Sequence, residues 1–179
     1  QVALRLATID APGKRNVILI EAQAVVLAAD VDAAAFKEAF SSLASAIKIE
    51  YEVSEKAMKL ELREAPVPAK VPEDAFALAF VRALHACPNG PYKLNQHNGA
   101  VETSTNIGAV TLHGGKASIL SMQRSSSDSS LTDAGLQFLA CFELVGLTVG
   151  AHGGYNGWQP DFDSKLLELA NGSARDATL

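Results

Sequence analysis

Cysteine is scarce in this chain. Its 179 residues hold two, Cys87 and Cys141, too few for a disulfide framework and suited to a reducing compartment. No apolar run approaches the ~18 residues that a membrane-spanning helix needs, so no membrane partner is expected. A Lys/Arg block is also missing. Fifteen basic residues against 20 acidic ones leave a formal charge of −5, which argues against a nucleic-acid partner. Arg5 and Asp10 interrupt the first apolar stretch, so no signal peptide is read there and a cytoplasmic location is expected. The chain opens on Gln1 rather than Met, which reads as a piece of something longer. What is present is 48% apolar and 20% charged, a balance that folds, at a length suited to one domain.

Metal-ligand spacing is absent too. None of His85, His97, His113 and His152 is followed two residues later by Asp, Glu or His, and there is neither a Glu-Glu pair nor a Cys-x-x-Cys. The bland reading puts His85 on a helix and the other three in loops. Gly114-Gly115-Lys116 lacks the upstream glycine of a phosphate loop and reads as a hairpin turn. Ser104 and Ser125–Ser127 lack a Gly-x-Ser-x-Gly elbow, so a serine hydrolase is the weakest of the functional alternatives.

The periodicities describe an α+β chain, a largely antiparallel sheet with helices packed on one face. Val2, Leu4 and Leu6 alternate as in a half-buried strand, and Val17 to Leu27 reads as a longer one. Asp30 or Asp32 can cap a helix with a stripe of Phe36, Phe40, Leu43 and Ile47, which could run on through Tyr51 and Val53. Met58, Leu60 and Leu62 suit either a strand or that helix's tail. Pro72 is placed to begin a helix buried through Phe76, Phe80 and Leu84, closed by Pro88-Asn89-Gly90-Pro91 and a polar loop to Gly99. A hairpin turning at His113-Gly114-Gly115 joins Ile107–Leu112 to Ala117–Met122. A polar loop over 124–130, a helix over 133–144 capped by Ser130 or Thr132, a strand over 147–151 and a short helix over 166–170 complete the expectation.

Two side chains stand out as binding candidates. Arg124 lies where an apolar strand hands over to a serine-rich loop, a position that aims a guanidinium into a cleft or leaves it in a surface ion pair. Asn16 ends a Lys14-Arg15-Asn16 trio before a strand, as turn former or as ligand contact.

Several segments share one order with a known family: Arg15-Asn16 before Ile18 and Glu21-Ala22; Pro88-Asn89-Gly90; Val101-Glu102-Thr103-Ser104-Thr105-Asn106-Ile107-Gly108; Arg124-Ser125 with Asp128-Ser129; and Gly154-Tyr155-Asn156-Gly157-Trp158-Gln159-Pro160. From about residue 14 to 168 the chain resembles the lid of the bacterial aminoacyl-histidine dipeptidases (peptidase D, Xaa-His dipeptidase) of the M20 metallopeptidase family. The resemblance implies a ferredoxin-like lid with additional strands over residues 1–170, followed by a polar tail at 171–179. It further implies a catalytic domain of the parent chain as partner, a dipeptide substrate and a homodimer. Two zinc ions would sit in that catalytic domain, with no cofactor and no catalytic residue in this segment. Asn16 would lie near the scissile carbonyl, and Arg124 would clamp the dipeptide's C-terminal carboxylate. Leu19 and Pro91 depart from the family pattern, and the tail after Ala170 does not continue as the family's helix does. A free-standing α+β interaction module without catalytic activity is the alternative from another class.

Overall fold

The structure, a computed structural model, describes the backbone of residues 3–176 and the side chains of residues 3–171. Its elements are β1 (Leu4–Ala11), β2 (Gln23–Ala28), α1 (Ala33–Glu50, preceded by a 3-10 turn), α2 (Asp74–Ala86), β3 (Gly90–Leu94), β4 (Val101–His113), β5 (Lys116–Ser125), α3 (Asp128–Glu143) and α4 (Lys165–Asp176). The α+β reading holds: every strand pairing is antiparallel, and α2 and α3 pack on one face of the sheet.

β4 is the spine. One of its edges pairs with β5 along nearly its whole length. The other edge is shared, with β3 on Val101–Thr105 and β1 on Val110–Leu112. β2 lies outside β1. The β4–β5 connection is the expected hairpin, with Gly114 and Gly115 at φ +58° and +79°, the left-handed pair that a tight two-residue turn requires.

Two bulges decide what is buried. In β1 the register slips between Leu6 and Thr8, so Leu6 meets the same core cluster as Ile9 and Ala11, an odd spacing that an unbroken strand would send to opposite faces. The bulge also makes Ala7, expected on the polar side, fully buried. Val2, the first residue of the expected alternation, lies outside the described residues. In β4 the slip falls between Ile107 and Ala109. Thr103, Thr105 and Ile107 before it, and Val110 and Leu112 after it, therefore share the helix-covered face. Phe80 of α2 sits on Val110 and Leu112, and Phe142 of α3 packs with Ala83 and Cys87 in a second cluster. Each fully buried Phe contributes about 1.5–3 kcal/mol. Phe76, Phe80 and Leu84 form the buried stripe read for α2.

Elsewhere the observed elements differ from the expected ones. Val17–Leu27 is a strand only from Gln23; residues 14–17 turn, closed by the Val17 N–H on the Lys14 carbonyl at 3.0 Å. Asp32 does stand at the N-cap of α1, but its side chain makes no capping bond, and the helix stops at Glu50. Met58–Leu62 is neither strand nor helix. α2 starts at Asp74 with Glu73 as its N-cap, so Pro72 precedes the helix. β3 occupies part of the expected 90–99 loop; it is an edge strand, where a proline costs no ladder bond. β5 runs through Arg124, and α3 begins at Asp128 with Ser127 as its cap, ahead of Ser130 and Thr132. Residues 147–151 form no strand. Leu147 and Val149 alternate because they pack on the Phe142 cluster. Among the histidines, His85 is on α2 as read, while His113 ends β4 rather than lying in a loop. α4 continues to Asp176, six residues past Ala170.

Candidate functional site

The face of the sheet away from α2 and α3 carries the candidate residues. Ser104 and Asn106 alternate with the buried Thr103 and Thr105, and so project from this open face. Arg124 of β5 pairs directly with Ser104, and Met122 with Asn106. Arg124 therefore stands on the open face as well.

The Lys14–Val17 turn is seated on the same face by absent and polar side chains. At Gly108 a Cβ would lie 2.3 Å from the Lys14 carbonyl oxygen and 2.7 Å from Arg15 Cα; at Gly13 it would lie 2.1 Å from the Gly108 carbonyl oxygen. Only glycine lets the two backbones approach this closely. Asn106 Nδ2 donates to the carbonyls of Arg15 and Val17, both at 2.9 Å. The β4 edge left open between β3 and β1 is sealed by Asn89, whose Oδ1 accepts the Ile107 N–H at 2.8 Å. Asn16 is exposed at the crest of the turn.

A third segment meets the chain just beyond Arg124, at Ser125–Asp128. The Gly157 N–H donates to Asp128 Oδ1 at 2.6 Å, and a Cβ on Gly157 would fall 2.7 Å from the Ser126 carbonyl carbon. Residues 153–158 are thereby docked onto the β5–α3 junction. Arg15 reaches toward them, its Nη1 4.0 Å from the Cβ position of Gly153.

The result is a groove of about 1320 Å³ along the outer side of β5, walled by Arg15, Ser104, Arg124, His152, Tyr155 and Trp158 among others. Its wall also includes Glu102, which Lys93 engages at 2.8 Å. Among the described residues neither Arg15 nor Arg124 takes part in an ion pair, so the surface salt bridge weighed for Arg124 is not formed there. Two guanidinium groups without a carboxylate partner suit an anionic ligand. Asn16 is not itself part of the groove wall, whereas its neighbour Arg15 is.

Two of the candidate serines, Ser125 and Ser127, have structural partners. Ser125 Oγ shares a hydrogen bond with Thr103 Oγ1 at 2.8 Å and accepts the Ser127 N–H at 3.0 Å, while Ser127 caps α3. Among the described residues no serine hydroxyl is hydrogen-bonded to a histidine, so the base that a nucleophilic serine requires is not in contact with one. The described residues also do not fit a zinc site: no group of three or more His, Cys, Asp or Glu among them could hold a metal ion. No described helix is long and apolar enough to cross a membrane.

No protein-family model matches the chain. The cytosol non-specific dipeptidase of Escherichia coli (strain K12) is 31% identical over 176 residues, covering 94% of this chain and 35% of the relative. The crystal structure of aminoacylhistidine dipeptidase from Vibrio alginolyticus superposes with a TM-score of 0.87 at 30% identity, over 93% of this chain and 34% of that one. The chain is homologous to a segment of the M20-family Xaa-His dipeptidases. It spans about a third of the length of the dipeptidases it matches. Sequence reasoning gave no binding role to Arg15, Asn106, His152, Tyr155 or Trp158, which stand at this candidate site. All but His152 lie inside the motifs that carry the resemblance.

Proposed function

We propose that this chain is the substrate-covering and dimer-forming lid of a zinc-dependent dipeptidase that hydrolyses Xaa-His dipeptides, and that by itself it binds without cutting. Arg124 grips the C-terminal carboxylate of the dipeptide, a charged hydrogen bond worth ~1.5–3 kcal/mol. Asn16 offers a side-chain amide near the scissile carbonyl. The zinc ions and the water they activate belong to a catalytic domain outside this segment, and the whole protein works in the cytoplasm.

The observation that carries this reading is the convergence of the Arg15–Asn16 turn and Arg124 on one open sheet face, beside a groove whose guanidinium groups have no carboxylate partner among the described residues. The dimer-forming role draws on α1, an 18-residue helix that buries none of its residues and leaves Leu43 and Ile49 exposed. Its contribution to the monomer's core is small, and a second copy of the chain would cover it.

Titration of the 15N-labelled chain with an Xaa-His dipeptide tests the binding role. The expected result is a shift of the Arg124 Nε–H and Asn16 side-chain resonances, with the Asn16 shift lost in Arg124→Ala. Shifts confined to other surfaces, or unchanged by Arg124→Ala, would overturn it.

A further inference from the structure

The carbonyls that Asn106 holds belong to Arg15 and Val17, the residues immediately before and after Asn16. A carboxamide has two N–H hydrogens, and here both are spent on the two sides of one residue. The turn's own closure is a single backbone bond, Val17 N–H to Lys14 carbonyl. Asn106 is fixed in turn by its place on β4, whose neighbouring Ile107 N–H is held by Asn89, and Gly108 beyond it leaves room for the turn to lie flat.

We infer that Asn106 is the positioning residue of the site: it holds the Arg15–Val17 turn on the sheet so that the Asn16 side chain is presented to the ligand in one orientation. The inference rests on the reading of Asn16 as a ligand contact. Asn106 itself need touch no ligand, because its donors are already engaged by the backbone.

Amide exchange and 15N relaxation on the whole chain test this. Asn106→Ala should speed exchange at the Val17 amide roughly 10-fold or more and lower the heteronuclear NOE of Asn16, with Leu112 in the core unchanged. Asn106→Asp keeps the shape but has no hydrogen to donate at neutral pH, and should loosen the turn equally. An Asp variant that behaves like the unaltered protein would mean Asn106 merely fills space, and would overturn the inference. If neither variant folds, hydrogen-bond scalar couplings from Asn106 Nδ2 to the Arg15 and Val17 carbonyl carbons in the unaltered chain decide: their presence supports the inference and their absence overturns it. A dipeptide titration separates the two claims. A turn loosened by these substitutions, with Asn16 silent to dipeptide, would retire Asn16 as a contact and leave its positioning intact. An Asn16 that responds to dipeptide, with a turn indifferent to Asn106, would do the reverse.

Discussion

Arg124 faces Ser104 directly across the β4–β5 ladder, two residues along β4 from the Asn106 that anchors the Arg15–Val17 turn. Segments more than 100 residues apart in the chain are thus brought to one face by a single hairpin. Substituting Arg124 should therefore change binding rather than folding. Arg124→Lys keeps the charge but loses the planar fork, so dipeptide affinity should fall by roughly 1–2 kcal/mol. Stability in urea should stay within ~0.5 kcal/mol of the unaltered chain, as for an exposed side chain. Calorimetric titration and denaturation of the same samples check both halves.

Glycines at two positions should respond in opposite directions. At Gly108 an added methyl meets the Lys14 carbonyl at 2.3 Å, so Gly108→Ala should destabilise by about 1–3 kcal/mol and displace the turn. Gly135 lies within α3 with open space around its Cβ position. Gly135→Ala should leave stability unchanged or raise it by up to about 1 kcal/mol through helix propensity. Urea midpoints for the pair provide the measurement, and a shared sign would contradict the account of the turn.

Burial, with Cys141 beside it, pushes the Cys87 thiol up to about 12. The fold therefore favours the protonated thiol. Its contribution is fully present below the ordinary value of 9.0 and is lost as pH rises from there toward about 12. Over that window the unfolded chain holds fewer protons at this site, and stability should fall by at most about 1.4 kcal/mol per pH unit. Cys87→Ala should flatten this part of the profile relative to the unaltered chain, as read from denaturation at pH 8 and pH 10.5.

The exposed apolar residues of α1 lead to a prediction about assembly. Sedimentation equilibrium should show self-association that Leu43→Glu, on a residue 61% exposed, weakens without unfolding the monomer. A strict monomer at high concentration would remove the dimer-forming part of the proposal.

Local chemistry made some of this fold legible from the residues. The hairpin followed from Gly114-Gly115, and the buried stripe of α2 from the spacing of Phe76, Phe80 and Leu84. What escaped was decided by partners distant in sequence. β3 carries a proline that reads as a loop until an edge position accommodates it. Leu147 and Val149 alternate like a strand but answer to α3. The bulges at Ala7 and Gly108 switch faces mid-strand, which an alternation rule cannot anticipate. At the site, Asn16 and Arg124 were nameable as residue types and from the family resemblance. Their shared face was not, because it depends on the β4 register and on the absence of a side chain at Gly108.

The central claim is that this segment binds a dipeptide and leaves its hydrolysis to residues elsewhere. The most direct measurement incubates the purified chain with an Xaa-His dipeptide, with and without added zinc, and follows free histidine by chromatography. Intact dipeptide is expected in both, with binding still detectable and still dependent on Arg124. Zinc-dependent release of histidine by the chain would contradict it.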